Sequence, residues 1–337
     1  MERTYVEMLI KKIASLVLVI CLAVLPCACA KTPAYALDVA GAEISQEVYA
    51  CFMDNVVLNP EKFGLSATPD EKAVKAKTEA LCKEYVAVNT ILNDLGAPLG
   101  DAEKAAVASA VIGLWNLFST HYESLGITKQ TLTKIETNKA AKDTLLLYYY
   151  DKDGSRAVGE DETRAYFNEN YISFRSINGY LTKTDENGNT VKLTDEKAQA
   201  LTSKLQSLAV QIADGKSFED ASKEFAENQG ITAGSTGFKL LEKKVNSYPE
   251  GFFEQVAQLT TGEPGIIAID NYIFLVIKRE VSLSEEDYFN SRKECLRALR
   301  GAELEQMIAD AAAGYEVASN ERVTTRIYEK IISLKQG

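Results

Sequence analysis

The sequence predicts an α+β protein in which a mainly helical region flanks a smaller segment of mixed strand and helix. Three observations carry this. Residues 45–150 hold stretches of apolar residues at helical spacing, separated by Gly and Pro breaks. Residues 172–281 change character and read, in order, β-α-α-β-α-β-β. From Ser284 the pattern returns to long helix.

The elements follow from local chemistry. Residues 36–44 read as a short strand, a turn at Gly41 and a return at Ile44. Ser45 is a helix cap, with Val48, Phe52 and Met53 on one face of the helix behind it, and Asn59-Pro60 ends that helix. A second helix spans 69–95, opening at Pro69, Asp70 and Glu71, carrying Val74, Leu81, Tyr85, Val88 and Leu92, and stopping at Gly96. A third spans 101–125, with Val107, Val111, Leu114, Trp115 and Phe118 as its apolar stripe, and a fourth spans 128–150. Asp151 to Gly159 reads as a linker. In the middle segment, 161–170 is a short polar helix, 172–183 a strand, and 184–189 a turn from which 190–193 returns. Thr194 opens a helix to Ala213 with Leu201, Leu205, Leu208 and Ile212 on one face; 218–228 is a second helix. A strand (236–241), a helix (251–259) and two strands (265–269 and 272–281) complete it. The tail holds a helix from Ser284 to Ala313, with Tyr288, Cys295, Leu299, Leu304 and Ile308 as its stripe. A short strand at 315–317 and a helix over about 321–334 follow.

Composition excludes several functions. The 337 residues are 46% hydrophobic and 25% charged, enough apolar mass for a substantial core. A net charge of −11 argues against a nucleic-acid partner, whose phosphates need basic stripes. The chain holds one histidine, His121, so multi-histidine metal sites and mechanisms needing two imidazoles are excluded, and no cofactor is implied.

The N-terminus reads as an export signal: Lys11 and Lys12 precede an apolar run from Ile13 to Leu25, too short for a comfortable membrane span. Ala28 to Ala30 fit small-x-small cleavage, while Leu25 to Cys29 resemble a bacterial lipobox with Cys29 as the acylated residue; lipidation is the preferred reading. Loss of residues 1–28 leaves 34 basic and 46 acidic residues, a net of −12, so attachment to a membrane falls to the lipid and not to charge. Cys51, Cys82 and Cys295 then remain; they form no disulfide framework and read as small buried hydrophobes, with a Cys51–Cys82 pair unsupported by spacing.

The stretch from Gly215 through Phe218 to Ala226, then Gly234 to Phe238, resembles parvulin-type peptidyl-prolyl isomerases. So do Phe252 to Leu259 with Gly262 and Glu263, and the strand Asn271 to Ile277. The colinear set covers about residues 170–281. The flanks resemble those of SurA/PrsA-like foldases: an export signal, a strand-to-helix start with Gly41, Ile44 and Ser45, a helical chaperone domain and a returning C-terminal helix. The resemblance implies an export signal over 1–29, a helical chaperone domain over 30–159 and a parvulin-like domain over 160–282. It further implies a segment 283–337 packing back on the N-terminal domain.

Parvulins carry a histidine on the first strand and another on the last, a Cys or Asp, and an apolar proline pocket. The alignment puts Asn178 and Ile273 at the histidine positions, Asn228 where Cys or Asp is common, and Ala257 where a pocket Phe is common; the segment holds no histidine. Prolyl isomerisation needs no covalent step, only relief of a barrier of roughly 18–20 kcal/mol set by amide resonance. A catalyst does this by holding the twisted imide in an apolar pocket with tuned polar contacts. Losing those groups together implies weak or absent activity. By the same resemblance Phe238, Phe252 and Tyr272 are candidates for peptide binding. Tyr148 and Tyr149, members of an aromatic run that reads first as core packing, are candidates too if that run lines a groove for extended polypeptide.

Other motifs read as structural. His121 reads as a surface or capping residue near a helix C-terminus. Asp151 to Gly154 begins like a calcium loop but lacks the later acidic ligands, so a solvated turn is expected and no metal site. The sequence thus reads as an exported, lipid-anchored foldase relative that binds unfolded secreted polypeptides at the outer face of the membrane. An active isomerase and a structural or assembly protein are the alternatives.

Overall fold

A computed structural model describes residues 35–245 and 247–336; the export segment and Cys29 lie outside the described residues. The chain is α+β, as the sequence predicts. It forms two compact units, one made of the residues up to Thr144 and from Glu305 onward, the other of Leu145–Leu304. Among the described residues no helix is long and apolar enough to cross a membrane.

The first unit opens with a hairpin, β1 (Tyr35–Val39) and β2 (Ala42–Ser45). Its two turn residues, Ala40 and Gly41, both have positive φ, the geometry that matches strand twist in a two-residue turn, and the Asp38 carboxylate accepts from the Gly41 N–H at 2.8 Å. The Ser45 hydroxyl accepts from the Val48 N–H and starts α1 (Gln46–Leu58). Asp70 caps α2 (Glu71–Asp94) by accepting from the Ala73 N–H at 2.7 Å. Next come α3 (Asp101–Leu125), closed by left-handed Gly126, and α4 (Lys129–Tyr150). The Asn138 amide donates to the Tyr85 carbonyl and to Asn89, both at 2.9 Å, and ties α4 to α2. The chain returns through β9 (Val317–Ser319), which pairs antiparallel with β1, and α10 (Glu321–Gln336). Leu37, Tyr49, Met53, Val56, Val107, Leu132 and Ile331 are among the residues of one core. Burying each large apolar side chain contributes about 1.5–3 kcal/mol.

Two expectations change here. Phe118 does not join the α3 stripe: Val107 and Val111 are buried, Leu114 and Trp115 half-buried, and Phe118 is 49% exposed. His121 is no helix cap, because its Nε2 sits 2.9 Å from Oδ2 of buried Asp54 on α1. The three described cysteines are free thiols, with Cys82 and Cys295 buried and Cys51 half-buried.

The second unit is built on a four-stranded antiparallel sheet in the order β6-β3-β8-β7, with β3 Tyr171–Tyr180, β6 Lys239–Glu242, β7 Pro264–Ile269 and β8 Tyr272–Arg279. A small hairpin, β4 (Thr182–Thr184) and β5 (Thr190–Lys192), follows β3. Helices α6 (Asp195–Ala213) and α7 (Phe218–Gln229) pack Leu205, Leu208, Phe218 and Phe225 against Ile177, Ile273, Leu275 and Ile277 on one sheet face. The other face carries Phe174, Phe274 and Val276 under α8 (Phe252–Gln258). At the unit's far end, α5 (Glu160–Asn170) meets the first part of α9 (Glu285–Ala313) through Phe167, Tyr171, Tyr288 and Cys295. Arg292, itself buried, donates to Asp151 at 2.7 Å, Glu160 at 2.9 Å and the Tyr288 hydroxyl at 2.7 Å. Asp151 thus begins a solvent-exposed turn, as expected, and its half-exposed carboxylate also pairs with the buried Arg292.

Candidate functional site

Alternation along β3 and β8 divides the sheet's side chains between its two faces. On the α8 face, β3 presents Phe174, Ser176 and Asn178, and β8 presents Tyr272 and Phe274. Here a concavity of about 650 Å³ is lined by residues including Phe174, Asn178, Lys239, Tyr248, Asp270, Tyr272 and Phe274. Its floor is aromatic. The Tyr248 and Phe252 rings stack with centroids 4.4 Å apart and 11° between planes, and Phe252 lies 4.7 Å from Phe274. Tyr272 stacks on Phe274 at 5.7 Å and 19°. Burial raises the Tyr248 phenol above its usual value, keeping it neutral. Asn178 accepts from the Ser176 hydroxyl at 2.7 Å, which leaves its NH2 group as a donor. Asp270 sits in the tight turn between β7 and β8 with φ +52.

Among the sequence candidates, Asn178 and Tyr272 meet in this concavity, and Phe252 lies beneath it, fully buried. Ile273 does not: it points through the sheet into the core under α6 and α7. Asn228 is exposed on α7 with its amide donating to the Glu224 carbonyl. Ala257 is exposed on α8, and its carbonyl accepts from Lys278 at 2.7 Å. Phe238 lies elsewhere, under the guanidinium groups of Arg175 and Arg279 at 5.1 and 4.7 Å. Tyr148 is exposed and Tyr149 half-exposed, their rings edge to face at 5.4 Å, while Tyr150 is buried. The concavity can hold an apolar ring against aromatic faces and offer an amide donor. It presents no imidazole.

The helical unit carries a second site that the sequence reading missed. Between the end of α2, the loop to α3, α3 and the start of α4 runs a groove of about 910 Å³, walled by Leu92, Pro98, Leu99, Val107, Val111 and Ile112. Ile112 is 59% exposed, and further along α3 Leu117 is 75% exposed. The signal was present: Ala105 to Thr120 is a run of sixteen residues without one charge, whereas a surface helix ordinarily turns a charged face to water. Among the described residues no cluster could hold a metal ion.

No protein family matches the chain by sequence, and no curated protein does so either. Solved structures similar to it are PrsA foldases and SurA-like chaperones. The foldase protein PrsA from Streptococcus pneumoniae has a TM-score of 0.41 and 13% identity over 86% of this chain and 97% of that one. PrsA from Lactococcus lactis has a TM-score of 0.38 and 11% identity over 88% and 99%. A SurA-like chaperone of Campylobacter jejuni has a TM-score of 0.26 and 12% identity over 85% and 98%.

Proposed function

We propose that the protein is an exported foldase relative that holds unfolded secreted polypeptides, anchored through Cys29 at the outer face of the membrane. The observation that carries the reading is the open apolar groove of the helical unit beside the uncharged stretch of α3. An open apolar groove of this kind fits transient burial of apolar client segments, which keeps them from aggregating. The sequence resemblance to SurA/PrsA-like foldases supports the same reading.

The sheet unit serves in this reading as a peptide-binding module with little or no isomerase activity, its contacts made by Asn178 and Tyr272. Tyr148 and Tyr149 are further contacts for an extended client. Retained isomerase activity is the second reading, favoured by the aromatic floor of the concavity.

The test is suppression of aggregation of an unfolded client by the protein and by an Ile112→Asp variant. Ile112 is exposed, so the variant should fold. Protection by the wild type that falls in the variant supports the reading. No protection at excess protein leaves a structural or assembly role.

A further inference from the structure

We propose that the apolar groove of the helical unit selects client segments whose apolar core is flanked by acidic residues. The inference rests on the chaperone reading and adds the chemistry of the segment preferred. Among the described residues that line the groove, the charged ones are Lys104 and Lys129; no carboxylate lines it. This is against the trend of a chain with 48 acidic and 37 basic residues.

Both cations are available to a ligand. The Lys104 side chain is 62% exposed, and its partner is Asp101 at 3.4 Å, a fully exposed carboxylate at the first position of α3. Such an exposed pair holds its partners weakly and exchanges readily for another carboxylate. Lys129 is exposed at the first position of α4, with its ammonium 5.4 Å from the Trp115 ring centroid. The ring limits where the ammonium sits without neutralising it. The N-terminal end of the α4 backbone adds positive partial charge beside Lys129. Two like charges line one apolar trough, with Asp101 beside Lys104 as the carboxylate a ligand would displace, and an apolar wall screens them less than open water does. A bound segment therefore places its apolar side chains against Val107, Val111 and Ile112 and its carboxylates toward the two ammonium groups. A basic flank meets repulsion there.

The experiment uses three labelled peptides with one apolar core and flanks of paired Asp, paired Ser or paired Lys. Each is titrated with the intact protein by fluorescence anisotropy at low and high salt. The expected order of affinity is Asp, then Ser, then Lys, with Asp over Ser by about three- to tenfold at low salt and little at high salt. A Lys104→Glu, Lys129→Glu double variant should reverse the order, and a Lys104→Gln, Lys129→Gln variant should flatten it. Circular dichroism checks that each folds.

Equal affinity for the three peptides overturns the inference and leaves the chaperone reading standing. Preference for the Lys-flanked peptide does the same, because net charge then governs. Binding by none of the three overturns both. Displacement of the peptide by a second copy of the protein, seen as a concentration-dependent dimer, or by phosphatidylcholine vesicles assigns the groove to another occupant and overturns the inference.

Discussion

Asn178 of β3 and Phe274 of β8 stand directly opposite each other across the central strand pair, on the sheet face that carries the aromatic concavity. The position that faces Asn178 is thus filled by a ring, and Ile273, one residue earlier, points the other way. A shift of one residue moves a side chain to the opposite face of a sheet. Of the two residues that the parvulin resemblance puts at the histidine positions, Asn178 faces the concavity and Ile273 faces the opposite core.

Any prolyl-isomerase rate should therefore depend on Asn178 and Tyr272 and not on Asn228. In a proline-peptide isomerisation assay the wild type is expected near background. Whatever acceleration it shows should be lost in Asn178→Ala and Tyr272→Ala and kept in Asn228→Ala, whose side chain bonds only its own helix. A rate that Asn228→Ala abolishes would place the chemistry outside the concavity.

The sequence and the structure agree where local chemistry decides. Ser45 caps the helix it was expected to cap, the helix read as opening at Pro69 to Glu71 starts there with Asp70 as its cap, and four strands of the middle segment pair in one sheet while β4 and β5 pair as the expected hairpin. Strand parity was less legible for a physical reason. Tyr272 to Ile277 is apolar at every position because helices cover both faces of β8, so alternation leaves no mark on the sequence. The groove was only faintly legible, as the uncharged run from Ala105 to Thr120, for another reason. An apolar helix residue reads as core unless tertiary packing leaves it uncovered, and only the fold shows that Ile112 and Phe118 are uncovered.

The Asp54–His121 pair makes stability of the helical unit depend on pH. Burial raises the Asp54 carboxyl above the usual carboxylate range, and His121 offsets this only in part. The folded state thus holds the proton more tightly than the unfolded one. Stability from this group is greatest below the unfolded value near 3.8 and falls as pH rises through the folded value. Oδ1 of Asp54 has no hydrogen-bond partner, which adds to the cost of the ionised form. Asp54→Asn should remove this pH dependence. His121→Ala should destabilise by more at pH 7 than at pH 4, by about 1–3 kcal/mol at the higher pH, because His121 is the partner that offsets burial of the ionised carboxyl. Urea denaturation at the two pH values measures both. An equal loss at pH 4 and pH 7 in His121→Ala would contradict the assignment.

Glu224 acts with the opposite sign. Lys204 and Lys216 both bond its carboxylate and pull it down to about 2. A carboxyl depressed on folding contributes stability that is present above its unfolded value near 4.5 and is lost as pH falls toward 2. Glu224→Gln should lower Tm at pH 5 and leave it close to wild type at pH 2. A deficit that persists undiminished at pH 2 would mean that the glutamine disturbs α7 itself.

Arg292 holds the end of α4, the start of α5 and the first part of α9 in one network, through Asp151, Glu160 and Tyr288. Removing the guanidinium takes a donor from the Tyr288 hydroxyl and from the Asp151 and Glu160 carboxylates, Glu160 keeping Arg164 at 2.9 Å, and loss of one partner from a buried ion network typically costs about 3–5 kcal/mol. The carboxylates are partly exposed, with side-chain accessibilities of 40% for Asp151 and 38% for Glu160, so water recovers part of that cost. Arg292→Ala should therefore destabilise by roughly 2–4 kcal/mol. Arg292→Lys should recover little, since one ammonium cannot reproduce a planar fork that reaches Asp151, Glu160, Thr163 and Tyr288. Chemical denaturation with a probe in the sheet unit measures this. A loss below about 1 kcal/mol in Arg292→Ala would show the network to be no stronger than an exposed ion pair.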